Sequence, residues 1–244
     1  MNSKGFRIFS ILLASTLTLA CAGAAKAGSI KSGQFVTDTQ GGWGEGGSAA
    51  SLLAADYNSV YASTNGVAIV GVENITDQYS MTFTNAGAIL TYLPSTGLPG
   101  PLSASLVNPA TTPSGIFGGD VVALTLNVDF SDAGFLHGTS SIPFGSLVLT
   151  SFSSGLSGLD GMTVSQFLAI ANTCLGDGSC PYGLDNIAAI TDDLNDSFPG
   201  GTVSTFADTN LALPPSATPE PSSLLLFGTS LLGLVPFRRK LFGR

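Results

Sequence analysis

Two cysteines are spaced so that they could react with each other. Cys174 and Cys180 enclose the five residues Leu-Gly-Asp-Gly-Ser, whose two glycines allow the chain to turn back on itself. Redox catalysis is one alternative, but redox motifs usually place two residues between their cysteines. Zinc is another, but it needs four ligands and His137 is the only histidine. We therefore expect a structural disulfide that closes a small loop.

The sequence contains no recognisable catalytic motif. A Ser-His-acid hydrolase would depend on His137 as its base, and the chain has no Gly-x-Ser-x-Gly sequence for the nucleophile. Residues 155–158, Gly-Leu-Ser-Gly, lack the last glycine of that motif at its place. Carboxylate pairs suited to glycoside hydrolysis arise by chance among sixteen acidic residues. We predict no catalytic residue, no cofactor, and a loop position for His137.

A group of aspartates offers the oxygen ligands that calcium prefers. Asp177 and Asp185 flank the segment between the cysteines, and Asp192, Asp193 and Asp196 follow on the next predicted helix. Their spacing does not match the calcium loop of EF-hand proteins. We interpret them as solvated helix faces and helix caps, with a calcium site as the alternative.

The charges are distributed very unevenly along the 244 residues. Sixteen acidic residues oppose eight basic ones, and no Lys or Arg occurs from Ser32 to Phe237, where all the acidic residues lie. Proteins that bind nucleic acids depend on Lys and Arg to neutralise phosphates. The body of this protein is therefore not a DNA or RNA reader, and it has no lysine for a phosphate-binding loop.

The amino terminus has the pattern of a secretory signal peptide. Lys4 and Arg7 precede an apolar run at residues 8–20, and Ala25 and Ala27 supply the small residues that a signal peptidase reads. We expect cleavage after Ala27, into an oxidising compartment where a disulfide can persist. An uncleaved membrane anchor and lipidation of Cys21 are the alternatives.

The carboxyl terminus changes composition in three steps. A proline-containing linker leads into Pro219-Glu220-Pro221, residues 222–237 are almost wholly apolar, and Arg238, Arg239 and Lys240 follow. Sixteen residues form a helix of about 24 Å, whereas a hydrocarbon core is about 30 Å thick. The helix could therefore cross a bilayer only if the bilayer is thinned or if the residues that flank the helix also enter it. The basic residues would stay on the cytoplasmic side.

This tail resembles the PEP-CTERM sorting signal of Gram-negative bacteria. The resemblance implies recognition of Pro219, Glu220 and Pro221 by an exosortase, a membrane-embedded transpeptidase, in organisms that make exopolysaccharide or biofilm matrix. Pro236 interrupts the apolar run where many members of the family stay helical. A plain membrane anchor is the alternative. We predict a signal peptide (1–27), a secreted domain (28–213), a linker (214–221) and a hydrophobic helix with a basic tail (222–244).

Residues 28–213 predict an α+β fold with several short helices and a small β portion. Apolar spacing predicts helices at residues 48–63, capped by Ser48, and at 86–93, 163–175 and 184–198, and strands at 67–72, 79–84 and 147–150. The last two helices form a hairpin around the cysteine loop. Residues 39–47 are too rich in glycine for regular structure, and Trp43 packs onto the body there, with stacking on a sugar as the alternative.

Residues 114–130 fit two patterns. The alternation of apolar residues from Val122 to Phe130 is typical of a strand, while Phe117, Val121, Leu124 and Val128 fall on one helical face. The order Thr39-Gln40-Gly41, then Trp43, and later a Leu-Asn segment is similar to a bacterial secreted domain that opens with Thr-Gln-Gly-Phe-Trp. That resemblance implies a helix at 114–130 and brings no known activity.

Two functions of different classes are consistent with these features. The first is a non-enzymatic surface or matrix protein, exported and sorted through its tail, with a structural or adhesive role and exopolysaccharide as a possible partner. The alternative is a secreted hydrolase that acts on polysaccharide, for which we expect a cleft with two facing acids and a lining of aromatic residues.

Overall fold

The computed structural model describes residues 29–73 and 76–215. The predicted cleavage site at Ala25 and Ala27 and the sorting residues Pro219, Glu220, Pro221, Arg238, Arg239 and Lys240 lie outside these ranges. Across the described ranges, no helix combines the length and the apolar character that a bilayer crossing requires.

The described residues have an α+β fold, as the sequence predicts. The helices are α1 (Gln40–Gly44), α2 (Ser48–Val60), α3 (Ala86–Tyr92), α4 (Gly115–Asp132), α5 (Val164–Asp177), α6 (Leu184–Asn195) and α7 (Thr205–Asn210). The strands are β1 (Ala68–Gly71), β2 (Ser80–Phe83), β3 (Leu106–Val107), β4 (Val148–Leu149) and β5 (Leu211–Ala212). Short 3-10 turns occupy Ala62–Thr64, Phe144–Ser146 and Ser157–Leu159.

Two small sheets flank the helices. In the first, β2 lies between β1, its antiparallel neighbour, and β3, which runs parallel to it. In the second, β4 and β5 pair antiparallel, with Val148 opposite Ala212 and Leu149 opposite Leu211. The sequence predicts β1, β2 and β4 near their observed positions but gives no indication of β3 or β5, which are only two residues long.

Helix α4 is the centre of the core. It contacts α1, α5, α6 and β1, and it is buried on every side except near its ends. The helical interpretation of residues 114–130 is therefore confirmed. A helix that is surrounded by protein needs no polar face, so it can be apolar on all sides. Its apolar residues then also occupy the alternate positions that are typical of a strand.

The expectation that residues 39–47 have no regular structure is wrong. Residues 40–44 form α1, and the hydroxyl of Thr39 caps the helix by accepting from the amide of Gly42 at 3.3 Å. Glycine is needed at position 44 because any side chain there would collide with the backbone of Leu93. The predicted cap at Ser48 is also wrong, since Gly47 precedes α2 and provides no side-chain cap.

The carboxyl-terminal half forms the predicted helical hairpin. Thr163 and Gln166 make a capping box at the start of α5, and α5 packs against α6. Helix α6 ends at Asn195, three residues earlier than predicted, because residues 196–199 lead into a bridge between Pro199 and Thr37.

The first prediction compares two glycines of α1. Gly44→Ala should lower the free energy of unfolding by about 2 kcal/mol or more, because the new Cβ collides with the backbone of Leu93. Gly41→Ala is the matched control: its Cβ would meet nothing nearer than 3.7 Å, so helix propensity should raise stability by about 0.5–1 kcal/mol. Urea unfolding measures both, and equal effects of the two substitutions would contradict this account of α1.

Candidate functional site

A buried amide links the opening of the domain to the central helix. Asn127 of α4 is fully buried, and its Oδ1 accepts from the indole Nε1 of Trp43 at 3.2 Å and from the backbone amide of Asp38 at 2.9 Å. Its Nδ2 donates to the carbonyl of Asp38 and to Oδ1 of Asn195 on α6. One side chain thus satisfies polar groups of three segments inside the core.

A second set of hydrogen bonds joins α1 and α6 to α4 at a position nearer the start of α4. Gln40 donates from Nε2 to Oδ1 of Asp120 at 2.9 Å and accepts at Oε1 from the amide of Ser95. Asn195 donates to the carbonyl of Asp120 at 2.9 Å. The Thr-Gln-Gly-x-Trp segment therefore acts structurally: Thr39 caps α1, while Gln40 and Trp43 attach α1 to α4.

Two carboxyl groups of α4 have strongly raised pKa values. Burial raises the pKa of Asp120 to about 7, helped by the nearby Asp192 and opposed by the hydrogen bond from Gln40. Burial also raises the pKa of Asp129 to about 6; the hydrogen bond from Tyr61 lowers it and Asp132 raises it. Since residues 32–215 include no Lys or Arg, neither carboxylate has an ion-pair partner of those two types from that part of the chain.

The aspartates proposed as calcium ligands do not assemble into a metal site. Asp177 ends α5 and accepts from Gln78 at 3.0 Å, while Asp185 lies in the first turn of α6. Asp192, Asp193 and Asp196 lie near one another on and after α6, where the pKa values of Asp192 and Asp193 are raised, first by burial and then by neighbouring charge. Among the described residues, no three His, Cys, Asp or Glu side chains are placed to hold a metal ion.

The cysteines and the histidine have the structural positions that the sequence predicts. Cys174, in the last turn of α5, is bonded to Cys180 in the loop before α6. His137 is exposed in a loop, and its Nδ1 lies 3.1 Å from the carbonyl of Gly138.

Most large aromatic rings point into the core. Trp43, Tyr57, Tyr61, Tyr92 and most phenylalanines of the described residues are buried, and Phe135 is the exposed aromatic residue among them, at 38%. Trp43 is fully buried against Phe130, with ring centroids 5.2 Å apart. The alternative that Trp43 stacks on a sugar is therefore wrong, and its packing onto the body is confirmed.

Two surface cavities that share Asp132 in their linings lie at the carboxyl end of α4, and the sequence analysis predicts neither. The first has a volume of about 350 Å³ and lies between α4, the end of α2 and β1. The second has a volume of about 250 Å³ and lies between α4 and the loop at residues 137–143. Asp132 lines both, Asp129 lines the first, and His137 lines the second. The walls of the first cavity come from segments some 60 residues apart, which sequence spacing cannot bring together, whereas the second is lined by residues 131–143 alone.

The tail identifies the class of protein. Residues 217–240 match the model of the PEP-CTERM protein-sorting motif, which includes all six predicted sorting residues. The chain is therefore an exported protein that carries a PEP-CTERM sorting signal and is processed by an exosortase at the membrane. No curated protein and no solved structure matches the chain. The similarity of the body to a secreted domain stays a prediction.

The second prediction tests the buried amide. Asn127→Ala should lower the free energy of unfolding by about 3–5 kcal/mol, because it leaves polar atoms of Trp43 and Asn195 buried without partners. Thr125→Ala is the control on the same helix: its hydroxyl donates only to the carbonyl of Val121, so a loss of about 1 kcal/mol is expected. Denaturant unfolding followed by Trp43 fluorescence measures both, and similar losses would contradict the bridging role of Asn127.

The third prediction concerns pH. Asp120 and Asp129 hold their protons more tightly in the folded chain than in the unfolded one. Their contribution to the free energy of unfolding is therefore greatest below about pH 4 and is lost as the pH rises towards their folded pKa values. Each group contributes a slope of up to about 1.4 kcal/mol per pH unit. Asp120→Asn, which keeps the acceptor for Gln40, should flatten the profile between about pH 4 and 7. An unchanged profile in chemical unfolding would contradict the shift at Asp120.

Proposed function

We propose that this protein is a structural or adhesive component of the surface or extracellular matrix of a Gram-negative bacterium, with no catalysis of its own. The single observation that carries the proposal is the sorting motif at residues 217–240, which follows a body that has no Lys or Arg after Lys31. The motif provides the route through the membrane, and the body is what the cell delivers.

The interior of the body supports a passive role. Three of its buried polar side chains, Asn127, Asn195 and Thr37, bond to the backbone, to each other or to the indole of Trp43. A polysaccharide-active enzyme would be expected to present aromatic rings along a cleft. Among the described residues the rings instead fill the core, and the serine hydroxyls at Ser131 and Ser140 bond to nearby backbone groups.

The surface chemistry also suits a domain that works at high local concentration. The sequence from residue 28 to 213 has fifteen acidic residues and one lysine, so copies of the body repel one another at neutral pH. Such a domain stays soluble during export and gains cohesion when protons or counter-ions reduce the repulsion. Exposed serine and threonine hydroxyls offer hydrogen bonds to a polyhydroxylated matrix.

The fourth prediction tests sorting in the native host. Alanine at Pro219, Glu220 and Pro221 together should leave most of the chain in the inner membrane with its tail intact, because the segment that the processing enzyme recognises is lost. The matched control is Pro214→Ala with Pro215→Ala, two prolines that precede the motif and should not affect processing. Mass spectrometry of the mature protein reports both chain ends, and cell fractionation reports its location.

Two outcomes would contradict the proposal. Normal processing and surface delivery of the triple variant would remove the basis for sorting. An increase in reducing ends when the purified chain is incubated with matrix polysaccharide of its host would replace the structural role with the hydrolase alternative.

A further inference from the structure

The two cavities at the carboxyl end of α4, which share Asp132 in their linings, form the candidate binding groove. The larger, of about 350 Å³, falls within the range of small-molecule sites. The floor is the last turn of α4, a helix held rigidly by the core, while the rims come from the end of α2 and from the loop after α4. A groove on a rigid helix is suited to hold a ligand in a fixed position.

The polar groups of the groove are incompletely bonded. Tyr61 donates to Oδ2 of Asp129 at 2.9 Å, which orients that carboxylate and leaves its Oδ1 available. The carboxylate of Asp132, three residues further along the helix, has no hydrogen-bond partner among the described residues, and it faces the same cavity. The two carboxylates therefore present acceptors to one ligand while repelling each other.

The rest of the lining combines apolar side chains with hydroxyl groups, and His137 lines the second cavity. Ser63 lines the first cavity and Ser141 the second, and neither hydroxyl has a partner among the described residues. No Lys or Arg lines either cavity. Carboxylates and hydroxyls together match a ligand that has an ammonium group and hydroxyls.

We propose that this groove binds a protonated amino sugar, presented as a unit of a cationic polysaccharide. The inference rests on the proposed function, in that it names the class of matrix polymer with which the body interacts. The ammonium group lies between Asp129 and Asp132, and the sugar hydroxyls bond to Ser63 and Ser141. Binding relieves the repulsion between the two carboxylates, for which residues 32–215 provide no Lys or Arg.

The geometry favours an organic cation over a metal ion. No three acidic or other metal-binding side chains of the described residues are placed around one point, and a cavity of about 350 Å³ is much larger than an ion with its ligands requires. An ammonium group needs only two or three acceptors, and the attached ring fills the remaining volume.

The fifth prediction is tested with the exported chain, tail included, kept in detergent at pH 7. Calorimetric titration with a glucosamine hexamer should show saturable binding, and the N-acetylglucosamine hexamer should bind at least about tenfold more weakly, since acetylation removes the ammonium charge. Asp132→Asn should also weaken glucosamine binding by about tenfold, or about 1.4 kcal/mol. Added salt should weaken binding of the unmodified chain, as expected for partly exposed charges.

The matched control is Asp208→Asn, which removes the same charge at an exposed position on α7 that lines neither cavity. It should bind as the unmodified chain does. The proposal is overturned if the chain does not bind the glucosamine hexamer, if the acetylated hexamer binds equally well, or if Asp132→Asn and Asp208→Asn behave alike. Thermal melting of both variants verifies that each is folded. Failure here leaves surface delivery intact, whereas failure of sorting leaves binding by the purified chain unaffected, so the two failures are distinguishable.

Discussion

The absence of Lys and Arg between residues 32 and 237 is the constraint on which the rest of the body depends. A carboxylate in the interior of a protein is normally stabilised by a Lys or Arg partner, and here none is available from those residues. The chain instead stabilises its acidic groups with amide and phenol donors, as Gln40 does for Asp120 and Tyr61 for Asp129. These donors carry no charge, so the pKa values of both carboxyl groups stay raised and the domain is more stable when they are protonated.

The same constraint explains the uncharged polar network in the core. Asn127 and Asn195 bridge α4, α6 and the opening segment by hydrogen bonds alone, and each is at least 99% buried. A buried amide with all its partners specifies one arrangement of neighbouring elements, because any shift leaves donors and acceptors unpaired. The small α1 helix, too short to be stable by itself, is fixed in this way to the longest helix of the described residues.

Local signals predicted most of the helices, and contacts distant in sequence decided the rest. The Thr163 cap and the apolar stripe after it locate α5 correctly. Helix α1 is not predictable locally because its glycines disfavour a helix. The structure needs one of these glycines, Gly44, because Leu93 approaches closely there, and Asn127 holds Trp43 in place. The first cavity could not be predicted because its walls are distant in sequence, and the second because it depends on how the loop after α4 folds back. The sorting tail was predictable because an enzyme reads it as an extended sequence, so its information is linear.

The acidic residues of α4 therefore divide into two groups with different consequences. Asp120 is closed off: Gln40 bonds its side chain, Asn195 bonds its carbonyl, and its side chain is almost fully buried, so it contributes to the stability of the fold. Asp132 is exposed at the other end of the helix, and Asp129 retains one oxygen without a partner among the described residues. A domain without internal cations satisfies the first group with its own amides. The second group has no Lys or Arg from residues 32–215 to balance it, which is why the proposed cationic partner is placed at the carboxyl end of α4.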